Sequence, residues 1–183
     1  MDVRALSQVT VLGVDGATVR LGSVWSDRPA VVVWLRHFGC LFCREQAADM
    51  RARRADIEAM GGRLVFVGNG GVRFAAGFQK EFAPDVTVLT DPELRSYRAV
   101  GARHGVLNTV GPRAWAAGIR ALRSGARQTR VKGHPFQQGA VMVLAPGDRL
   151  VYSHISRVAG DHPPADQVVG ALAAATQRRA AGF

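Results

Sequence analysis

Apolar runs alternate with amphipathic stretches along this chain, and the alternation predicts strands and helices in turn. Val9 to Val14 alternates weakly, Asp15-Gly16 supplies a two-residue turn, and Thr18 to Leu21 returns, which predicts an N-terminal β-hairpin. Ala30 to Leu35 is uninterrupted and β-branched, as a strand buried on both faces should be. Leu41 to Met60 has no Pro or Gly, so one long helix is expected, with Cys43, Ala47, Met50, Ile57 and Met60 on its inner face and Gly61-Gly62 at its end. Arg63 to Val67 reads as a second buried strand, Val72 to Phe82 as a helix and Val86 to Thr90 as a short strand. Asp91-Pro92-Glu93 is expected to cap the next helix, with Pro in its first turn. Pro112 to Ser124 predicts an extra helix anchored by Trp115, Ile119 and Leu122. Two strands follow, Ala140 to Leu144 and Leu150 to Ser153, around a Pro146-Gly147-Asp148 turn. Asp166 to Thr176 closes the series as a helix with a fraying basic tail.

Strands alternating with helices imply an α/β domain whose central sheet is covered on both faces, and the late antiparallel hairpin makes that sheet mixed. A chain of 183 residues fits one domain, taken as 1–183, with the extra helix as an insert at about 105–135. Its longest purely apolar run is too short to cross a bilayer, and its start has neither a basic nor an apolar leader segment. A cytoplasmic location is therefore expected, where thiols stay reduced and a close Cys pair is catalytic or metal-binding more often than structural.

The net charge of +10 is carried almost wholly by Arg, with Lys80 and Lys132 the only lysines. Between Glu93 and Asp148 there is no acidic residue, yet nine basic ones occur: Arg95, Arg98, Arg103, Arg113, Arg120, Arg123, Arg127, Arg130 and Lys132. A solvated face, an anionic small substrate and a homodimer partner all remain open for this stretch. Nucleic acid is not expected, because Trp115 is the only tryptophan among the charges and no recognition motif is present.

The candidate chemistry lies at Cys40-Leu41-Phe42-Cys43, just after the first buried strand and at the start of the long helix. Positions three apart on a helix share a face, and the first turn offers free N–H groups and the positive end of the helix dipole. Both favour thiolate over thiol, and Arg36 and Arg44 flank the pair. Cys40, nearer the helix start, is expected to be the more exposed and reactive, with Cys43 resolving the mixed disulfide. His37 is open between steering a proton and serving as a loop residue; a zinc site lacks a second ligand pair. Gly68-Asn69-Gly70-Gly71 is taken as a plain turn, since Arg73 stands where a third glycine would complete a dinucleotide loop.

Arg36-His37-Phe38-Gly39-Cys40-Leu41-Phe42-Cys43-Arg44 resembles the Phe-Gly-Cys-x-x-Cys-Arg motif of the peroxiredoxin-like 2 group, within the AhpC/TSA, thioredoxin-like superfamily. Leu89-Thr90-Asp91-Pro92 with Tyr97, Gln138-Gly139-Ala140 and Gly160-Asp161-His162-Pro163-Pro164 are similar as well. The resemblance implies a thioredoxin-like fold and thiol-dependent reduction of a peroxide, endoperoxide or disulfide. Cys40 and Cys43 would be catalytic, and Arg36, His37, Gly39 and Arg44 supporting. Electrons would come from a thiol reductant such as thioredoxin or glutathione, with no metal, flavin or nicotinamide on the protein. Typical peroxiredoxins carry Pro-x-x-x-Thr-x-x-Cys; with Cys43 aligned on that Cys, Cys40 takes the Thr place and Arg36 the Pro place. Gln137 and Gln138 stand where such enzymes have Arg before the late strand, and Gly139 stands in place of the thioredoxin cis-Pro. A thioredoxin-like use of Cys40 follows. The alternatives are a binding or scaffold protein, or a specialised biosynthetic enzyme, using the basic insert to hold an anionic ligand.

Overall fold

The structure is a computed structural model and describes residues 1–102, 137–158 and 160–180. The expected Pro112–Ser124 helix and most of the basic stretch lie outside the described residues. In chain order the elements are α1 (Val3–Ser7), β1 (Thr10–Gly13), β2 (Thr18–Arg20), a 3₁₀ turn (Leu21–Trp25), β3 (Ala30–Trp34), α2 (Leu41–Ala52) and α3 (Arg54–Ala59). Then come β4 (Arg63–Gly68), α4 (Val72–Phe82), β5 (Thr87–Thr90), α5 (Arg95–Val100), β6 (Ala140–Ala145), β7 (Arg149–Ile155) and α6 (Ala165–Ala180).

The strands form one mixed sheet in the order β2-β1-β5-β4-β3-β6-β7. β3, β4 and β5 run parallel, while β1, β6 and β7 pair antiparallel with their neighbours. β3 is central and buried at every position, which explains its unbroken apolar run. Its side chains alternate between two cores. Val31 and Val33 pack with Cys40, Cys43, Met50 and Phe78 on one face, together with Leu172 of α6. Val32 and Trp34 pack with Leu6, Trp25, Tyr97 and Met142 on the other. Each such aliphatic side chain contributes about 1.5–3 kcal/mol on burial.

The N-terminal hairpin forms as its turn residues predict, with Gly16 at φ 84, and it extends the sheet through Leu12 opposite Thr90. The segments flanking it, α1 and the 3₁₀ turn, have no helical period long enough to detect. They are tied down instead by Asp148, whose carboxylate accepts from Trp25 Nε1 at 3.0 Å and from Ser7 Oγ at 3.2 Å.

Two expected helices are corrected. The single helix from Leu41 to Met60 is broken at Arg53 into α2 and α3. At the break the Arg53 guanidinium pairs with Asp56 and with Asp166 of α6, so the joint serves contacts between helices that the local period does not record. The helix after Asp91-Pro92-Glu93 begins only at Arg95, so Pro92 precedes it. The N-cap is Leu94, which makes no side-chain cap bond; Asp91 serves the first turn from three residues earlier, one carboxylate oxygen accepting from both Ser96 N–H and Ser96 Oγ at 2.6 Å. The final helix runs on past Thr176 to Ala180.

Candidate functional site

β3 delivers the chain to a short loop, Leu35 to Gly39, at the end of the sheet, and Cys40 is the N-cap of α2. Cys43 lies one turn on, and its N–H donates to the Cys40 carbonyl at 3.1 Å. Both thiols are reduced, and both are buried: Cys40 is 3% exposed and Cys43 2%. Cys40 is thus the more exposed of the two only by a margin that leaves both sealed. The loop folds inward on Phe38, which stacks against Phe78 with ring centroids 5.3 Å apart and joins the same core as the sulfurs.

Arg36 organises the pair. Its backbone N–H donates to Cys43 Sγ at 3.2 Å, and its Nη1 lies 3.8 Å from Cys40 Sγ. Its Nε donates to the Gln137 carbonyl at 3.2 Å, so the buried guanidinium bridges from the sulfur to the start of the β6 segment. A hydrogen bond from Cys43 pulls the Cys40 thiol down from 9.0 to about 6, against the opposing effect of burial; Arg36 and the Phe42 and Cys43 N–H groups add to the pull. Burial, with the Cys40 charge beside it, pushes Cys43 well above its ordinary value. The two shifts run in opposite directions, favouring the thiolate on Cys40 and the thiol on Cys43.

His37 is buried in the loop, where Nδ1 accepts the Gly39 N–H at 3.2 Å and its carbonyl accepts the Cys40 N–H at 3.1 Å. Burial, and secondarily Arg36, lower its pKa from 6.5 to about 4, so the ring is neutral at pH 7. Gly39, also buried, is the donor in that contact. Arg44 turns away from the thiols, its guanidinium 4.4 Å over the Phe82 ring.

Residues that periodicity alone does not single out complete the surroundings. Asn69 donates its amide to the Arg36 carbonyl, and Tyr97 Oη lies 2.5 Å from the Leu35 carbonyl and 3.0 Å from the Val67 carbonyl. Gln137 Nε2 donates to the Ala102 carbonyl at 3.0 Å. Each is a buried polar side chain spent on main-chain atoms; the family resemblance points to Tyr97 and Gln137, whereas Asn69 is signalled only by its polarity beside an apolar run. A cavity of about 840 Å³ lies along β7, bordered by Gly101, His154, Arg157 and Asp161; neither cysteine lines it. Among the described residues no group of His, Cys, Asp or Glu could hold a metal ion, and no helix is long and apolar enough to cross a membrane.

A mixed sheet with a buried Cys-x-x-Cys pair at the strand-to-helix junction defines the class: a thioredoxin-like α/β protein carrying a dithiol. The AhpC/TSA antioxidant enzyme family matches residues 49–158, a span that begins past both cysteines, and the chain belongs to that family. It is 32% identical over 179 residues to the thioredoxin-like protein AAED1, chloroplastic, of Arabidopsis thaliana, covering 93% of this chain and 72% of that one. It is 27% identical to human peroxiredoxin-like 2C, covering 90% and 77%. It is 30% identical to a Danio rerio prostamide/prostaglandin F synthase, covering 86% and 80%. The crystal structure of peroxidoxin BcpB from Mycobacterium tuberculosis superposes with a TM-score of 0.67 at 17% identity, over 91% of this chain and 92% of that one, and so shares the fold. Family and fold together support a thiol-dependent oxidoreductase.

Proposed function

We propose that the protein is a dithiol oxidoreductase in which Cys40 attacks and Cys43 resolves. The observation that carries this is the arrangement of the two sulfurs beside Arg36, which leaves the thiolate on Cys40 and the proton on Cys43. With a peroxide, Cys40 Sγ takes one oxygen, the O–O bond breaks, and the departing alkoxide is protonated from water. The resulting sulfenic acid on Cys40 is attacked by Cys43; the S–S bond forms and water leaves. With a disulfide, Cys40 forms a mixed disulfide, one thiolate departs, and Cys43 displaces the second. Either route gives the substrate two electrons and ends in a Cys40–Cys43 disulfide. A thiol reductant such as thioredoxin or glutathione restores the dithiol, in the reducing milieu of the cytoplasm. Because both sulfurs are buried, a local opening that exposes Cys40 Sγ precedes attack. A dedicated biosynthetic role on one metabolite is the second reading, favoured by the relatives named prostamide/prostaglandin F synthase.

The test is a thiol titration and mass measurement before and after one equivalent of peroxide, on the wild type, Cys40→Ser and Cys43→Ser. The wild type should lose both thiols with no oxygen retained. Cys43→Ser should stop at a species carrying one added oxygen, and Cys40→Ser should stay unreacted. Reaction of Cys40→Ser with an inert Cys43→Ser would reverse the two roles.

A further inference from the structure

Two buried polar side chains outside the thiol chemistry hold the main chain on either side of the Arg36 Cα. Tyr97, on α5, places its hydroxyl 2.5 Å from the Leu35 carbonyl. That carbonyl belongs to the peptide whose N–H, on Arg36, donates to Cys43 Sγ. Asn69, in the Gly68–Gly71 turn, donates its amide to the Arg36 carbonyl, which belongs to the following peptide. Both side chains are nearly sealed from water, Asn69 at 2% and Tyr97 at 0% exposure, where an apolar residue would be buried at lower cost.

The supports of these two residues are themselves fixed. Thr90, at the end of β5, donates its hydroxyl to the Gly70 carbonyl, and Asp91 N–H donates to the Gly68 carbonyl at 2.8 Å. The turn that carries Asn69 is therefore bound to the sheet. Tyr97 follows Ser96, whose N–H and hydroxyl are both held by Asp91 and whose hydroxyl accepts from Trp34 Nε1 at 3.1 Å. With the peptides before and after Arg36 each anchored, its φ and ψ are both set. Its N–H then points at one sulfur, and its side chain leaves the Cα toward the other.

We propose that Asn69 and Tyr97 are positioning residues for the dithiol, clamping the two peptides that flank Arg36 so that its N–H and its guanidinium meet Cys43 and Cys40 together. This rests on Cys40 being the attacking thiol. The clamp touches no substrate. It works by keeping the Cys43 sulfur's lone pair engaged with the Arg36 N–H, which leaves the Cys43 proton for Cys40, and by keeping the guanidinium within reach of the resulting thiolate.

The experiment is iodoacetamide alkylation of the reduced protein as a function of pH, with the labelled cysteine assigned by mass, on the wild type, Asn69→Leu and Tyr97→Phe. Leu matches Asn in size without a donor, and Phe removes a single oxygen, so the second variant keeps the test decisive if the first does not fold. In each folded variant the Cys40 midpoint should rise by about one pH unit, with about fivefold less thiolate at pH 6. A purely structural role would lower the denaturation midpoint and leave the alkylation profile alone. A wild-type Cys40 profile in both variants would overturn the clamp while leaving Cys40 as nucleophile. Labelling of wild-type Cys43 ahead of Cys40 would overturn the nucleophile assignment and the clamp with it.

Discussion

The tip of the Phe38 ring fills the space that a side chain at Gly68 would need: a β-carbon there would sit 2.1 Å from Phe38 Cζ. Gly68 ends β4 and Phe38 lies two residues before Cys40, so this contact sets how closely the cysteine loop approaches the sheet. Gly68→Ala must push Phe38 off its place against Phe78, and overpacking of this kind costs about 1–3 kcal/mol. Urea denaturation of the reduced protein should show a lower midpoint at an unchanged slope. An unaltered midpoint would mean that the ring has room to move aside.

Arg36→Gln removes the buried cation beside Cys40 and leaves the backbone N–H on Cys43 in place. The guanidinium is one of the causes that lower the Cys40 thiol to about 6, behind the hydrogen bond from Cys43. Without it the thiol should titrate higher, so alkylation at pH 6 to 7 should slow several-fold and the rate should converge on the wild type at alkaline pH. Arg36→Lys keeps a charge but not the fork that also reaches Gln137, and should fall between the two. Alkylation rates measured from pH 5 to 10 decide this, and an Arg36→Gln profile lying on that of the wild type would sink it.

The sheet is legible in the sequence because its strands carry their burial locally. The all-apolar Ala30–Trp34 and Ala140–Ala145 strands, and the Asp15-Gly16 turn, need no distant partner to be recognised. The position of Cys40 and Cys43 at a strand-to-helix junction is legible for the same reason. What sequence spacing does not record is long-range geometry. The break at Arg53 answers to Asp166, more than a hundred residues away, and the short N-terminal segments answer to Asp148. The burial of Cys40 depends on Phe38 reaching Gly68 across the sheet, and no local period encodes that contact. Asn69 looks like an ordinary polar turn residue until Arg36, thirty-three positions earlier, is placed beside it.

His37 makes an acid-range prediction. Burial, then Arg36, hold the folded-state pKa at about 4 against 6.5 for a free imidazole. Between these values the unfolded chain binds a proton that the folded chain refuses, so stability falls as pH drops from 6.5 to 4. The full effect is at most roughly 3 kcal/mol, since a tenfold change in proton affinity corresponds to about 1.4 kcal/mol. His37→Asn keeps a polar side chain in the loop and cannot take up the proton. Its denaturation midpoints between pH 4 and 6.5 should show a shallower acid limb than those of the wild type. Equal slopes in the two proteins would place the acid sensitivity elsewhere.

The dithiol itself should make the stability of the reduced protein depend on pH in a way the disulfide form does not share. Cys40 is a thiol lowered from 9.0 to about 6 in the folded state, by the Cys43 hydrogen bond first and then by Arg36 and the α2 N–H groups, against burial. Between pH 6 and 9 the folded chain has released this proton and the unfolded chain still holds it, so stability rises with pH across that window and the gain is lost as pH falls back through 6. Cys43 acts in the opposite sense. Burial and the Cys40 charge keep its proton on in the folded state, so above pH 9, where the unfolded thiol ionises, stability declines. The pair should therefore give the reduced protein a maximum near pH 9. Oxidation to the disulfide removes both titrations, and Cys40→Ser removes the rising limb alone. Denaturant midpoints of the reduced and oxidised wild type and of reduced Cys40→Ser, taken at each pH from 5 to 10, separate these effects. The difference between the reduced and oxidised forms should grow in favour of the reduced form from pH 6 to 9, because only the reduced form holds a thiolate that folding stabilises; a difference independent of pH would mean that Cys40 keeps its proton in the folded state.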